Sequence, residues 1–360
     1  MKRILLFASL LGLLAIGCKP DKEVKPGPID PNNPPIDSTY GGDTTAARLK
    51  LTPYKLLAPQ FFPPIPIPGD NKPYVERIAL GRRLYYDPIL SNDGRSCSQC
   101  HIQTKGFISD HIAADGLTVM PHVNLAWNRN WLWNGGETGP METVMLFETH
   151  TFFATDLSKL NADTTYRRLF KETYGVDDIS FNEVTKALSQ FIRTLISQNS
   201  KFYQRVIGKT ALDKDEQAGS DIFFSERGDC FHCHTNPMLT DNAFHNTGLD
   251  DDFSNPTNRG RFNTTGNPDD MGKFRTANLY NVALRKHFMH DGRFKTLEEV
   301  VNFYNDPPKQ SATLDTVMEK NNKLTKGLGL NDMEKYQLVR FLHTFTDTSF
   351  TNNPAFSRPQ

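Results

Sequence analysis

Cys97-Ser98-Gln99-Cys100-His101 and, much later, Cys230-Phe231-His232-Cys233-His234 decide how this chain is read. Each stretch has two thiols separated by two residues and a histidine directly after the second. Two thiols one helical turn apart can each add to one vinyl group of a porphyrin, and the adjacent imidazole then reaches the iron. Cys97, Cys100, Cys230 and Cys233 are therefore expected to attach two haems c, with His101 and His234 as iron ligands. Zinc would occupy the same thiols but leave both histidines unexplained. A redox dithiol needs only one pair, usually in a βαβ setting, and no such setting is legible around either motif.

The fifth cysteine, Cys18, needs a different account. Residues 1–18 read MKRILLFASLLGLLAIGC: Lys2 and Arg3, an apolar run, then small residues before the cysteine. The run is too short for a comfortable membrane span and right for a signal peptide. Its end resembles a bacterial lipobox, with Ala15 where Leu is usual, and implies cleavage before Cys18 and lipid on its sulfur. From Lys19 to Thr45 the chain holds six prolines and three glycines. Such a spacer stays extended at about 3 Å per residue and cannot form a core. The expected location is the cell envelope, with the chain lipid-anchored to a membrane and facing the periplasm or the outside.

Lys plus Arg and Asp plus Glu both total 41, so there is no basic excess to call for a nucleic-acid partner. Hydrophobic residues at 38% suffice for packed cores. Helix-start signals dominate the rest. Ser180 with Glu183, Asp213 with Glu216, Thr296 with Glu299 and Asn331 with Glu334 all have capping-box spacing ahead of apolar stripes. The fold class expected is mainly α, two cytochrome c-like haem domains with few short strands. Residues 1–17 read as lipoprotein signal peptide, 18–50 as Pro-rich tether, 51–200 as the first haem domain and 201–350 as the second, joined near Asn199–Gly208. Residues 351–360 read as a tail.

Beyond the motifs, the chain resembles the bacterial dihaem cytochrome c peroxidase family, which includes the MauG-type enzymes. The resemblance covers about residues 75–345. It rests on Leu80-Gly81-Arg82-Arg83-Leu84-Tyr85-Tyr86-Asp87-Pro88, Asn124-Leu125-Ala126-Trp127-Asn128 and Leu132-Trp133-Asn134-Gly135. It continues through Gly260-Arg261-Phe262, Gly272-Lys273-Phe274-Arg275-Thr276 and Asn281-Val282-Ala283-Leu284 to the most specific piece, residues 290–301, which begin His290-Asp291-Gly292-Arg293-Phe294. The resemblance implies a peroxidatic first haem and a second haem that takes electrons from a small exported cytochrome or cupredoxin. It also implies that Trp133 assists transfer between them. Where typical members have a methionine ligand to the second iron, this chain has Tyr304, as MauG-type enzymes do; Met289 is offset from that position.

The distal pocket of the first haem departs from the pattern. The family's Gln, Glu and Met positions read Thr143, Phe152 and Phe153 here. Peroxide cleavage needs a group that moves a proton between the two oxygens. Glu148, His150, His111 and His122 are the substitutes at hand. The resemblance also implies a structural calcium; its Asn ligand position is Thr118, which would leave backbone carbonyls to hold the cation. Three functions follow in order: a peroxidase reducing hydrogen peroxide to water, a MauG-like oxidase acting through high-valent haems on a protein or small-molecule target, and a dihaem electron carrier without catalysis.

Overall fold

Two helix crossings, one near each motif, organise the molecule. The computed structural model describes residues 43–360. Cys18, the signal segment and nearly all of the expected tether lie outside the described residues. Fourteen α-helices are described. The first half contains α1 (Thr44–Leu49), α2 (Val75–Tyr86), α3 (Cys97–Cys100), α4 (Met141–Leu146), α5 (Leu157–Ala162), α6 (Thr164–Tyr174) and α7 (Phe181–Arg193). The second contains α8 (Lys201–Val206), α9 (Lys214–Phe223), α10 (Phe262–Thr265), α11 (Leu297–Asn305), α12 (Lys323–Lys326), α13 (Asp332–His343) and α14 (Thr348–Thr351).

Helix α2 crosses α7, and α9 crosses α13. Both crossings are close because a glycine sits at each. A Cβ on Gly81 would lie 1.9 Å from the Ala187 carbonyl oxygen, and one on Gly219 would lie 2.0 Å from that of Gln337. Only glycine lets the backbones approach so far. The four expected capping boxes are all present, at the starts of α7, α9, α11 and α13. Each satisfies free N–H groups at a helix start, worth about 1 kcal/mol per cap.

The two halves repeat one another in detail. Asn124 and Asn281 both adopt a left-handed backbone, with φ of 54° and 60°. Each precedes a short 3₁₀ turn, at Leu125–Trp127 and Val282–Leu284. Asn124 N–H donates to the Leu195 carbonyl and Asn281 N–H to that of Phe345. Their side-chain oxygens accept from Ser197 N–H and Asp347 N–H, both at 2.8 Å. Each asparagine thus pins the loop after a motif to the end of the long helix in its own half.

Among the described residues the strands are four two-residue segments in two antiparallel pairs. β1 (Asn130–Trp131) pairs with β2 (Glu137–Thr138), Asn130 opposite Thr138. β3 (Phe244–His245) pairs with β4 (Phe274–Arg275), Phe244 opposite Arg275. The mainly α expectation with few short strands holds.

Three expected boundaries differ. The body is already under way at Asp43, which caps α1 and pairs with the buried Arg77 at 2.9 Å, so the tether stops short of residue 50. The segment expected to join the halves contains α8, whose Phe202 packs on Phe341 and Phe345. The expected tail is packed, because Phe356 is apolar enough to be buried against Phe107 and Phe350. Arg82 and Tyr86 of α2 also donate to the carbonyls of Ser357 and Phe356. One core runs through both halves, from Leu80 and Phe191 to Phe223 and Phe341.

Candidate functional site

Each motif forms one helical turn that brings its two thiols to the same side. Cys97–Cys100 is α3, and Cys230–His232 is a 3₁₀ turn. His101 N–H bonds back to the Cys97 carbonyl and His234 N–H to that of Cys230, both at 2.9 Å. Two downstream residues then orient the imidazoles. Phe107 and Leu239 are fully buried, have φ of 59° and 54°, and turn their carbonyls inward. His101 Nδ1 donates to the Phe107 carbonyl at 3.2 Å, and His234 Nδ1 to that of Leu239 at 3.0 Å. A carbonyl only accepts, so Nδ1 carries the proton and Nε2 keeps its lone pair. Burial holds both histidines down to about 4, so they stay neutral and able to ligate.

The second motif borders a cavity of about 230 Å³. Cys230, Cys233 and His234 line one side; Phe223, Val282, Val301 and Leu342 supply apolar walls. Arg275 and Arg285 also face it, and burial lowers both to about 10. Among the described residues no carboxylate pairs with either, and Nε of Arg285 has no hydrogen bond. A buried Arg275 and a half-buried Arg285, neither paired with a described carboxylate, match the carboxylates that a haem carries. Tyr304 lines the same cavity; burial, then the Cys233 and Cys230 thiols, push its phenol above the usual range.

Trp133 reaches this cavity from the first half. It lies in the loop between β1 and β2, whose tip presses on Phe244: a Cβ on Gly135 would meet that ring at 2.4 Å. The Trp133 carbonyl accepts Arg275 N–H at 2.9 Å, and its Nε1–H donates to the Thr118 carbonyl at 2.8 Å. Thr118 in turn donates its N–H to the His290 carbonyl and its hydroxyl to that of Met289. Its polar groups are thus engaged within the protein, and nothing about Thr118 supports the expected calcium. A Cβ on Gly292 would meet Thr118 Cγ2 at 2.8 Å, a packing reason for the glycine in His-Asp-Gly-Arg.

The candidates for the first haem separate clearly. Glu148 lies in a π-helical stretch, Phe147–Phe152, that continues α4. Such stretches shift side chains off the α-helical register and recur at functional sites. Glu148 is close enough for its charge to raise the Cys97 and Cys100 thiols, and burial pushes its own carboxyl up to about 7. His122 packs against the histidine of the first motif. Its ring stacks on His101, and its Nδ1 lies 3.2 Å from the Tyr85 hydroxyl. Burial and His101 together hold it well below its ordinary value. This sets His122 beside His101, between that ring and Tyr85. His111 and His150 are exposed, His150 against Phe181, so neither joins this group. Thr143 stays on α4, Phe152 lies half-exposed under Arg95, and Phe153 is in the core.

Residues 75–211 match the family model described as di-haem cytochrome c peroxidase. The cytochrome-c peroxidase IdrP1 of Denitromonas iodatirespirans is 30% identical over 329 residues, covering 79% of this chain and 85% of that protein. This chain belongs to the dihaem cytochrome c peroxidase and MauG family. The MauG methylamine utilization protein of Methylorubrum extorquens AM1 is 28% identical, covering 86% of this chain and 90% of that one. A solved structure of a MauG-like protein associated with microbial copper homeostasis has 31% identity and a TM-score of 0.76, covering 85% of this chain and 99% of that one. As a dihaem family member, this peroxidase-like oxidoreductase carries two haems c.

Two features of this dihaem peroxidase escaped sequence reasoning. His245 is clamped between Asp315, 2.6 Å from Nδ1, and Asp241, 2.8 Å from Nε2, and these two bonds raise it to about 12. Asp241 and His245 are four residues apart, but Asp315 comes from a distant loop. His290 is buried with Nε2 unbonded, its ring stacked 3.7 Å from that of Phe274. Its motif was visible in sequence; its place on the cavity wall was not.

Proposed function

We propose that this enzyme reduces hydrogen peroxide to water at its first haem, with two electrons and two protons consumed per peroxide. The electrons come from a small exported cytochrome or cupredoxin, by way of the second haem and Trp133. The haems supply redox iron when bound. The chain supplies orientation and proton movement. His101 and His234 are held as neutral ligands by the Phe107 and Leu239 carbonyls. Glu148 takes a proton from one peroxide oxygen and returns it to the other, which leaves as water. A carboxyl near 7 suits both halves of that transfer at neutral pH. The observation that carries the reading is this half-buried carboxyl on a π-helical stretch, near enough to Cys97 and Cys100 to raise both thiols, in a chain whose family glutamate position is a phenylalanine.

A second reading rests on Tyr304. A tyrosinate is a hard anionic ligand that favours oxidised iron, so a tyrosine in the second cavity favours use of the oxidising equivalents on a protein or small-molecule target, as in MauG-type enzymes. Anaerobic peroxide turnover with a reduced small cytochrome, combined with spin-state spectroscopy of each haem, tests both. Stoichiometric cytochrome oxidation supports the first reading. Peroxide consumption without it, accompanied by a near-infrared charge-resonance band, supports the second.

We also propose that the chain is lipid-anchored at Cys18 in the cell envelope, on the strength of the lipobox-like residues 15–18. Labelling with a radioactive fatty acid, lost in Cys18→Ser, is the expected result.

A further inference from the structure

The turn that carries the second motif also brings three donor atoms together, two of them buried and one, from Glu226, open to solvent. Glu226 and Asp229 precede the motif, and His232 lies inside it, between Cys230 and Cys233. His232 Nε2 is 3.3 Å from Glu226 Oε1 and 3.2 Å from Asp229 Oδ1, and all three atoms lie within 4.8 Å of one another.

An ordinary ion pair explains this poorly. Nε2 has one hydrogen at most, and it is directed at neither carboxylate: Nε2 and Asp229 Oδ1 are both buried without a hydrogen bond. His245 shows what a clamped imidazole looks like here, with one carboxylate on each nitrogen at 2.6 and 2.8 Å. At His232 both carboxylates address the same nitrogen, at longer range. Ligands about 2.0–2.1 Å from a tetrahedral zinc lie ~3.3–3.4 Å apart, close to the spacing seen.

Asp229 is held in place for this. Its side chain is 3% exposed, and its backbone is left-handed with φ of 57°. Its other oxygen, Oδ2, pairs with the buried Lys323, which also donates to the Val317 carbonyl. Lys323 thus orients the carboxylate and leaves Oδ1 directed at His232. A buried oxygen left without a partner is costly unless something fills the site. One side of the cluster is open, since the Glu226 side chain is 62% exposed, so water can complete the coordination.

We propose that Glu226, Asp229 and His232 form a binding site for one divalent transition-metal ion of the zinc class. One imidazole nitrogen and two carboxylate oxygens suit such an ion better than calcium, which takes oxygen ligands. The site uses none of the groups assigned to peroxide chemistry. Its ion would sit on the loop that fixes the second haem, adding positive charge beside the entry point for electrons.

The test uses the haem-loaded protein, freed of metal by a chelator that spares covalent haem. Calorimetry with Zn²⁺ is expected to show one saturable site, and Co²⁺ to give visible bands of a nitrogen-and-oxygen site that Zn²⁺ abolishes and Ca²⁺ does not. Glu226→Gln, at an exposed position, and His232→Asn are each expected to weaken Zn²⁺ binding at least ~10-fold while two haems per chain remain by pyridine haemochrome. Absence of a stoichiometric site, or Zn²⁺ affinity unchanged in Glu226→Gln, would overturn the proposal. Calcium binding as tightly as zinc would overturn the assigned metal class.

Discussion

The imidazole rings of His101 and His122 lie face to face, their centroids 3.4 Å apart and their planes 13° from parallel. The fully buried Tyr85 holds the outer ring through its hydroxyl. This contact ties the iron ligand of the first haem to α2. A support for the ligand ring, with no proton transfer to peroxide, is the expectation this contact sets for His122. His122→Leu is therefore expected to shift the spectrum and potential of the first haem while kcat falls less than ~10-fold, smaller than the loss from removing a general acid–base group. Spectroelectrochemistry with steady-state kinetics checks it.

Glu148 carries the opposite expectation. Glu148→Gln is expected to lower kcat/KM for peroxide by roughly 10²–10⁴-fold, the usual range for a proton-transfer group. Burial raises this carboxyl to about 7, so the basic form accumulates above that pH. The wild-type rate constant should climb as pH rises through about 7, and the variant should lack that limb. Stability has the opposite sign. A raised folded-state value means the contribution is whole below the unfolded value near 4.5 and is lost as pH rises through about 7. Thermal melts of the two proteins should accordingly converge at acid pH, relative to their difference at pH 8.

At the second haem, Tyr304→Phe removes the oxygen that faces the cavity. The expected result is a changed spin state and a higher reduction potential, because an anionic oxygen ligand favours ferric iron. Magnetic circular dichroism with a potentiometric titration reads both. An unchanged second haem would show that the phenol does not ligate.

The glycine crossings predict a matched pair of stability losses. Gly81→Ala and Gly219→Ala would each drive a methyl group into a helix carbonyl at about 2 Å. Each is expected to cost about 1–3 kcal/mol or more, through separation of α2 from α7 or of α9 from α13. Thermal or denaturant melts of the haem-loaded variants measure it. A control at Gly208, which has nothing near its Cβ direction but a φ of 75°, should show only the smaller backbone penalty.

Local chemistry was readable where its cause is local. Ser180 with Glu183 announces a helix start because both hydrogen bonds close within one turn. The haem motifs are readable for the same reason, since thiol, thiol and imidazole must follow at fixed spacing. The placement of His122, Glu148 and Asp229 was not readable. His122 meets His101 through a stacking contact made in the folded state, and Glu148 is re-aimed by a π-helical stretch with no clear sequence signature. Asp229 is oriented by Lys323, which is distant in sequence. The repeat of the two halves left only short traces, Gly81 and Gly219 each followed three residues on by an aliphatic and two aromatics, and Asn124 and Asn281 each followed by an aliphatic and an alanine; folding shows that these places are equivalent.

By itself, the sequence determined the cofactor chemistry and the helical class of this protein. Four cysteines and two histidines at motif spacing specify two covalent haems, and apolar stripes behind caps specify the helices. Only the tertiary structure decided that Glu148 comes to lie near Cys97 and Cys100, that His122 stacks on His101, and that Trp133 of one half lines the cavity of the other. Those assignments depend on where a buried side chain comes to rest among groups tens to hundreds of residues away. Burial sets their proton affinities and hydrogen bonds set their directions, and both exist only once the chain has packed.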